Sequence, residues 1–474
     1  MKQLLPLLLF CSLSFSLWAN NLQISNVTLS NDSTLTFSVS WENSWRLNGT
    51  PPYNHDAVWL FVKKRDCASS QWSHTDLSVN VGNHSAGSPL EAYVDGKDSS
   101  SVAKGIFIRR KADGVGNISN VSVSLRMVGL VPGQFDFRVF GIEMVNIPEG
   151  AFYLGDGGVS GSSFREGGGT APYQVTSEGT LAYGNTAGKL YASSRALTAS
   201  VAADFPKGFA EVYCMKYEIS QGQYVDFVNS LQSDQGNTRR ITGTVASRNN
   251  ITGNWPVIQA NTPHRAMANL GWADFLAYLD WAALRPMTEF EYEKICRGPV
   301  TPVAGEYAWG TALITDANTL VTDGTATETA SNAVTPGAGL CNYNNNTVLG
   351  PMRCGYAAKP GTTRQQAGAS YYGVMDMSGN LMEQVIHSYD AGALYRGELG
   401  DGEISTPPNA GHANQPTWPN QDATLADGRA KGRMTRGGGY SSTITYLRVS
   451  DRYYGYTYAD DGRRYNYFGG RGVR

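Results

Sequence analysis

Short runs of alternating apolar and polar residues dominate the first third of the chain. Such alternation is typical of half-buried strands, and five or more short strands predict a small sandwich. The runs are LTFSVSW (35–41), AVWLFVKK (57–64), GIFIRR (105–110), VSVSLRMVGL (121–130) and FDFRVFGI (135–142). We therefore expect an all-β, sandwich-like domain over residues 20–142. No catalytic cluster lies in it, so we interpret it as a spacer or an anchor.

The pattern changes to helical spacing further along the chain. Ser220 and Gln223 have the spacing of a capping box, and Thr288 and Glu291 repeat it. Between these two boxes, residues 269–284 place apolar side chains on one side of a helix. These three segments predict three helices.

Three glutamates, Glu289, Glu291 and Glu293, cluster at the start of the third predicted helix. Acidic side chains in a first turn complement the helix dipole, so we interpret these as structural. An acidic functional cluster is the alternative.

Residues 440–474 form a tract of aromatic and small polar residues. The tract holds 8 of the 26 tyrosines, among Ser, Asp, Asn, Gly and Arg. Binding surfaces favour this mixture, because Tyr gives a large, stiff contact and small polar residues give adaptable hydrogen bonds. The tract lacks Trp, Met, Gln, Lys and Glu, although the chain contains 10 Trp and 11 Met. Randomising the adenines of Asn codons produces this palette and excludes those five types; a Tyr-rich edge of an ordinary β-domain is the alternative.

Composition and charge narrow the class of protein. The chain has 474 residues, 41% hydrophobic and 16% charged, with 54 Gly, which suits a loop-rich globular protein of two or three domains. The net charge of −2 gives no general electrostatic reason to bind nucleic acid or an anionic membrane. We therefore expect no nucleic-acid partner.

The first 19 residues have the pattern of a signal peptide. Lys2 supplies the positive end, residues 4–17 form the apolar core, and Ala19 is a plausible cleavage point. This run is too short for a stable membrane span, and no other segment is apolar enough. We expect an exported protein, secreted or held at the cell surface, without a transmembrane span.

The five cysteines beyond the signal are Cys67, Cys214, Cys296, Cys341 and Cys354. Export permits disulfides, and an odd number leaves one cysteine unpaired. Cys341 and Cys354 flank a short Asn-rich loop and are the preferred pair. Cys214 and Cys296 sit in apolar settings that also suit buried thiols.

Six segments in order carry a resemblance to a known family. They read MVNIPEGAFYLG, YCMKYEISQGQYVDFVN, RPMTEFEYEKICRG, YYGVMDMSGNLMEQV, TRGGGYSS and GGRGVR. Together they resemble the formylglycine-generating enzyme family, over residues 143–474. The resemblance implies an α+β fold, a variant of the C-type lectin fold, which follows the β-domain.

Enzymes of that family oxidise a sulfatase cysteine with copper held by two cysteines near the chain's end. The matching stretch here, residues 437–452, contains no cysteine, and thiolates are the ligands that suit Cu(I). Related sulfoxide synthases use iron bound by histidines, but the six histidines here are scattered. We expect no copper, no iron and no enzymatic activity. A formylglycine-generating-type oxidase and a non-catalytic structural paralogue are the alternatives.

The tract is also similar to the variable proteins of diversity-generating retroelements, whose C-terminal region is rewritten at adenines. Their R-G-G, L-R-V-S-x-R and terminal Gly/Arg motifs correspond to residues 436–438, 447–452 and 469–474. The resemblance implies a variable region over 436–474, in which Leu447 and Val449 point inward and variable positions point to solvent. The implied partner is an unknown protein or glycan ligand on another cell or surface. The candidate ligand-binding residues are Tyr440, Ser441, Ser442, Ile444, Tyr446, Asp451, Tyr453, Tyr454, Tyr456, Tyr458, Asp460, Asp461, Tyr465, Asn466, Tyr467 and Phe468.

The resemblance to the enzyme family also implies a structural calcium site. Its ligands would be the carboxylates of Asp376 and Glu383 and the backbone carbonyls of Gly379 and Leu381. Carboxylate and carbonyl oxygens suit a hard cation. The alternative is that Glu383 and Asn380 only brace the loop by hydrogen bonds.

Overall fold

The computed structural model describes residues 21–158, 161–192, 200–241, 248–344, 348–407, 410–419, 421, 429–453 and 460–474. The predicted signal peptide therefore lies outside the described residues. Within the described residues, no helix has the length and apolar character needed to cross a membrane.

Strands dominate the first third of the chain, as the alternating pattern predicts. They are β1 (Gln23–Asn31), β2 (Thr34–Arg46), β3 (Asp56–Asp66), β4 (Trp72–Thr75), β5 (Ser85–Ala86), β6 (Leu90–Tyr93), β7 (Ile106–Arg110), β8 (Gly114–Arg126) and β9 (Phe135–Ile147).

Short strands and four α-helices make up the rest of the described chain. In chain order these are β10 (Phe152–Leu154), β11 (Phe164–Glu166), β12 (Tyr173–Val175), β13 (Leu190–Ala192), β14 (Val212–Met215), α1 (Gln221–Asn229), α2 (Ser233–Arg239), β15 (Ile251–Asn254), β16 (Val257–Ala260), α3 (Trp272–Trp281), β17 (Arg285–Pro286), α4 (Glu289–Arg297), β18 (Ile314–Asp316), β19 (Leu320–Val321), β20 (Thr329–Ala330), β21 (Gly339–Cys341), β22 (Glu383–Ile386), β23 (Arg429–Ala430), β24 (Arg433–Arg436), β25 (Asp460–Asp461) and β26 (Gly472–Val473).

Two sheets enclose the core of the N-terminal part. One sheet has the strand order β1-β2-β8-β5. The other has the order β17-β26-β14-β9-β3-β7-β6, with β4 added on β3. Alternate side chains of β2, such as Phe37 and Val39, pack against Val58 and Leu60 of β3 in one buried cluster. This burial on alternate positions explains the two-residue period of the sequence.

The larger sheet continues from the N-terminal part into the C-terminal part. β9 pairs with β3 over Phe135–Val145, and Met144–Ile147 pair with β14 on the other side. The domain boundary expected between residues 142 and 143 thus falls inside this strand. Further along the sheet, Val473 of β26 pairs with both Cys214 and Arg285.

The helices begin where the capping patterns predict. Ser220 caps α1 and Thr288 caps α4, and both capping boxes are complete. Every residue of α3 is buried, so this helix fills the centre of the larger apolar cluster instead of showing one polar face. The side that the pattern leaves to polar residues is buried as well, and Asp274 pairs there with Arg239.

The preferred disulfide between Cys341 and Cys354 is wrong. Both residues are buried free thiols in the structure, as are Cys214 and Cys296, and Cys67 is free and exposed. The Cys341 thiol donates to the Ser378 carbonyl oxygen at 3.1 Å, and the Cys354 thiol points to the Glu218 carbonyl oxygen at 3.4 Å. Each thiol therefore packs in its own backbone environment.

Candidate binding face

A glycine turn after β24 leads into the tract, residues 440–474. The exposed side chains of the tract form the candidate binding face. Gly437 and Gly438 have φ values of +78° and +62°, which L side chains rarely adopt. A Cβ atom on Gly437 would lie 2.5 Å from the Met377 carbonyl oxygen. This close approach explains the requirement for glycine in the R-G-G motif.

The apolar positions of the L-R-V-S motif point inward, which confirms the prediction for them. Leu447 is 0% exposed and Val449 is 1% exposed. Leu447 packs with Tyr307 and Trp309 in one small cluster. A short 3-10 helix, Ile444–Leu447, turns Leu447 inward while Ile444 stays exposed.

Two arginines of these motifs, Arg436 and Arg452, are buried in ion pairs. Arg436 Nη2 lies 2.7 Å from Glu293 Oε1, and Arg452 Nε lies 2.7 Å from Glu289 Oε2. Burial acts to raise the pKa of Glu289, but the charge and hydrogen bonds of Arg452 hold that pKa below its ordinary value. These contacts tie the tract to the first turn of α4.

The glutamates of α4 therefore do more than complement the helix dipole. All three are buried, and Glu291 Oε1 lies 2.5 Å from Arg285 Nη2. The interpretation as structural residues holds, but the cause is different. Arginines, some from the tract and some near in sequence, neutralise the carboxylates inside the protein, whereas an exposed first turn would leave them in water.

Exposed and half-buried side chains of the tract lie between these two arginines and after the second of them. Ile444 is 44% exposed and Tyr453 is 51% exposed. The Tyr446 and Tyr453 rings stack with centroids 5.9 Å apart, and the Tyr465 and Tyr467 rings stack at 5.3 Å. The predicted ligand-binding residues that reach solvent fully or partly are Ser441, Ile444, Tyr446, Tyr453, Asp461, Tyr465, Asn466 and Tyr467.

Residues 380–382 contact both the beginning and the end of the tract. The Tyr440 amide donates to the Asn380 carbonyl at 2.8 Å, and the Met382 amide donates to the Tyr467 carbonyl at 2.9 Å. The Tyr467 side chain packs against the same cluster that contains Tyr440 and Leu381. Residues 380–382 thus join the beginning and the end of the tract.

The outward orientation predicted for Tyr440 and Phe468 is wrong. Tyr440 is 2% exposed, and burial raises the pKa of its hydroxyl to about 12. Phe468 is fully buried, with the Arg433 guanidinium 3.9 Å from its ring centroid. Both aromatic rings fill the interior beneath the face.

The same correction applies to Ser442 and Asp451. Ser442 is 2% exposed, and its hydroxyl accepts a hydrogen bond from the Gly439 amide at 3.0 Å. Asp451 is 9% exposed, and its Oδ1 accepts from the Tyr453 amide at 3.1 Å. These side chains hold the turns of the tract.

Four predicted positions have no described side chain. Tyr454, Tyr456 and Tyr458 lie outside the described residues, and only the backbone of Asp460 is described, in β25.

Three further exposed side chains on the face were not predicted from the sequence. Thr443 and Thr445 flank Ile444 and are exposed, and Arg463 is exposed with its Nη2 2.7 Å from Asp461 Oδ2. Randomising the adenines of Asn codons also produces threonine. The composition of the tract therefore already indicated the two threonines. Burial acts to raise the pKa of Asp461, but hydrogen bonds from Arg463 hold it below its usual value.

The carboxylates expected to bind calcium contact other groups. Asp376 Oδ2 accepts from the Gly355 amide at 2.6 Å. Glu383 Oε1 lies 2.6 Å from Arg471 Nε and 2.5 Å from its Nη2, whereas Oε2 has no hydrogen-bond partner among the described residues. The guanidinium of Arg471 therefore supplies the positive charge beside Glu383.

The two backbone positions of that site take part in the same packing. The Gly379 amide donates to the Gly437 carbonyl, and the Leu381 amide donates to Glu218 Oε1 at 2.9 Å. Among the described residues, no group of three or more His, Cys, Asp or Glu side chains is arranged to hold a metal ion. A calcium ion at Glu383 would therefore have to compete with the Arg471 guanidinium.

The buried thiols are poor candidates for copper ligands. Burial raises the pKa of Cys296 to about 12 and raises that of Cys341 and Cys354 well above the ordinary value. Thiolate is the form that binds soft metals, and these surroundings disfavour it.

Comparison with known proteins finds a family match in the C-terminal part of the chain. A family model described as the sulfatase-modifying factor enzyme 1-like domain (FGE-sulfatase) matches residues 141–471. No curated protein matches the chain. The match covers more than half of the chain and includes α1–α4 and most of the tract. The chain therefore belongs to the sulfatase-modifying factor enzyme 1-like family.

Proposed function

We propose that this chain is an exported, non-enzymatic ligand-binding protein whose C-terminal tract is diversified by a retroelement. The domain would be a variant of the C-type lectin fold that presents the exposed positions of the tract to a protein or glycan on another cell or surface. The N-terminal sheets would support this domain.

One observation carries the proposal. Along the tract and just before it, buried arginines alternate with exposed residues of the types that adenine randomisation produces. Arg436 and Arg452 hold the backbone through Glu293 and Glu289, whereas the side chains of Ile444 and Tyr453 are 44% and 51% exposed. Side chains at such exposed positions change with little effect on stability, typically within about 0.5 kcal/mol. A fixed backbone with interchangeable side chains is what a diversified binding surface requires.

The residue types on the face support ligand binding. The stacked pairs Tyr446–Tyr453 and Tyr465–Tyr467 present flat aromatic surfaces. Tyrosine is enriched in binding hot spots because it buries a large area and keeps a hydroxyl for hydrogen bonding. Asp461 and Arg463 add one charge of each sign beside the second pair.

Sequencing of the DNA around the gene tests the proposal. We expect a near-identical copy of the segment that encodes 436–474, beside a reverse-transcriptase gene, with differences confined to adenines of the copy. Those differences should change exposed positions such as Tyr453 and should spare the codons of Leu447 and Arg452. Differences of all base types, or copper-dependent turnover of a sulfatase-derived cysteine peptide, would contradict it.

A further inference from the structure

The eight-stranded sheet opens into a fork beside β9. β14 pairs with β9 only over Met144–Ile147, and the Lys216 amide then donates to the Glu143 carbonyl at 2.9 Å. Beyond Lys216 the chain turns away, and the Ile219 amide bonds to Gly470. In the part of the chain that the structure describes, residues 137–142 pair with β3 on one side and with no strand on the other.

The free side of β9 presents backbone hydrogen-bonding groups. In an antiparallel pair, successive residues direct their amide and carbonyl groups to opposite sides of the strand. Because the Glu143 carbonyl points to Lys216, the backbone groups of Gly141, Val139 and Phe137 point to the same free side. A strand edge of this kind is a template for pairing with another chain.

This edge forms the floor of a groove of about 560 Å³. Leu22, Ile24 and Val27 line one wall, and Tyr217, Tyr278 and Trp281 line the other. The packing is close on the β1 side, because a Cβ atom on Gly141 would lie 2.9 Å from Ile24 Cδ1. Both faces of a strand laid in the groove would therefore meet apolar walls.

Two buried polar atoms in the walls lack partners. Glu143 and Trp281 are 5% and 4% exposed, and Glu143 Oε1 and Trp281 Nε1 have no hydrogen-bond partner among the described residues. A buried polar group without a partner is rare in native proteins.

The charge around Glu143 is unbalanced. Lys216 Nζ lies 3.1 Å from Glu143 Oε2, and the same ammonium also interacts with the buried carboxylate of Asp56. One cation therefore serves two carboxylates. This excess of negative charge is complementary to a basic residue at this end of the groove.

We propose that the groove binds an extended peptide segment of a protein partner, which adds as a strand to the free edge of β9 and carries apolar residues at alternate positions and a Lys or Arg beside Glu143. Main-chain hydrogen bonds supply affinity in such strand addition, and the side-chain pockets supply specificity. This site is separate from the C-terminal tract and does not depend on its role.

Synthetic peptides test the proposal on the full chain. The probes are an array of decapeptides that alternate Val or Ile with Thr and carry one Lys at varied positions. We expect binders to protect the amides of Gly141, Val139 and Phe137 from hydrogen exchange. Methylating alternate backbone nitrogens of a binder should lower its affinity more than 10-fold when those nitrogens face the β9 edge, but not when they face away. This readout requires no change to the protein.

Protein variants provide the second arm. Val139→Pro removes an edge donor and should weaken binding at least 10-fold, whereas Val139→Thr should not. Asp226→Trp fills the groove from α1 and should have the same effect as Val139→Pro. Glu143→Gln should remove the preference for Lys, and Tyr453→Ala should change nothing. Three results would overturn the proposal. They are wild-type affinity of the peptides for Val139→Pro and Asp226→Trp, protection from hydrogen exchange at other amides, and self-association of the protein through this edge.

Discussion

Arg452 and Glu289 form a buried ion pair that links the C-terminal tract to the start of α4, with Arg452 Nε 2.7 Å from Glu289 Oε2. The Arg452 guanidinium also lies 3.9 Å from the Phe164 ring centroid. The tract is thus attached to the domain through a buried charge.

Replacing Arg452 by Met should destabilise the protein strongly at neutral pH. The change leaves the Glu289 carboxylate buried without its main partner, which costs about 3–5 kcal/mol. In the wild type, the lowered pKa of Glu289 stabilises the fold above its ordinary pKa of 4.5, and this contribution is lost as the pH falls through the folded-state pKa. In the variant Glu289 becomes protonated on acidification, so the difference between the two proteins should shrink below pH 4.5. Urea unfolding at neutral and acidic pH measures this difference.

Arg463→Met is the matched control for that variant. Arg463 also pairs with a carboxylate, Asp461, but its side chain is exposed. Exposed ion pairs contribute little. A loss of stability as large as that of Arg452→Met would mean that burial does not distinguish the two pairs. Adding Glu289→Gln to Arg452→Met should recover part of the lost stability.

Aromatic residues of the tract should separate into two classes of stability effect. Tyr453→Ala should change the free energy of unfolding by no more than about 0.5 kcal/mol, because the side chain is 51% exposed. Phe468→Ala and Tyr440→Ala should each cost about 3–5 kcal/mol, because both rings are buried. Thermal unfolding of the three variants checks this; similar effects in all three would contradict the assignment of exposed and buried positions.

Calcium should leave the thermal midpoint unchanged. A ligand that binds only the folded state raises the midpoint with its concentration, whereas the Arg471 guanidinium already contacts Glu383 here. We expect superimposable melts in millimolar calcium and in chelator. Arg471→Met removes this internal cation and should lower stability. A midpoint that rises with calcium in the wild type would show that the donor set rearranges around the ion.

Thiol reagents should distinguish Cys67 from the other described cysteines. Cys67 is exposed and should react in the native protein. Cys214, Cys296, Cys341 and Cys354 should react only after unfolding, because burial shields them and raises their pKa values. Reductant should not lower the thermal midpoint. A midpoint that falls on reduction would indicate a disulfide between two of them.

Local signals in the sequence predicted the local structure well. The capping boxes at Ser220 and Thr288 require only the chain within three residues, and both are present. The inward orientation of Leu447 and Val449 follows from their apolar character between polar neighbours. The alternating runs predicted the strands because one face of each is buried.

Relationships over long distances were not accessible from the pattern. The partners of Glu289 and Glu293 in the tract are more than 140 residues away in sequence, and this spacing has no period. Tyr440 and Phe468 are buried in irregular segments, where alternation carries no information about orientation. The continuity of the eight-stranded sheet depends on β26 meeting β14, which only the tertiary fold determines.

A deep mutational scan of residues 440–474 compares all exposed and buried positions of the tract in one experiment. The full chain would be displayed with every substitution and sorted for folded protein without a ligand. We expect broad tolerance at Ser441, Ile444, Tyr446, Tyr453 and Tyr467, and intolerance at Tyr440, Leu447, Arg452, Phe468 and Arg471. Uniform intolerance across the exposed set would contradict the claim that these side chains are interchangeable on a fixed backbone.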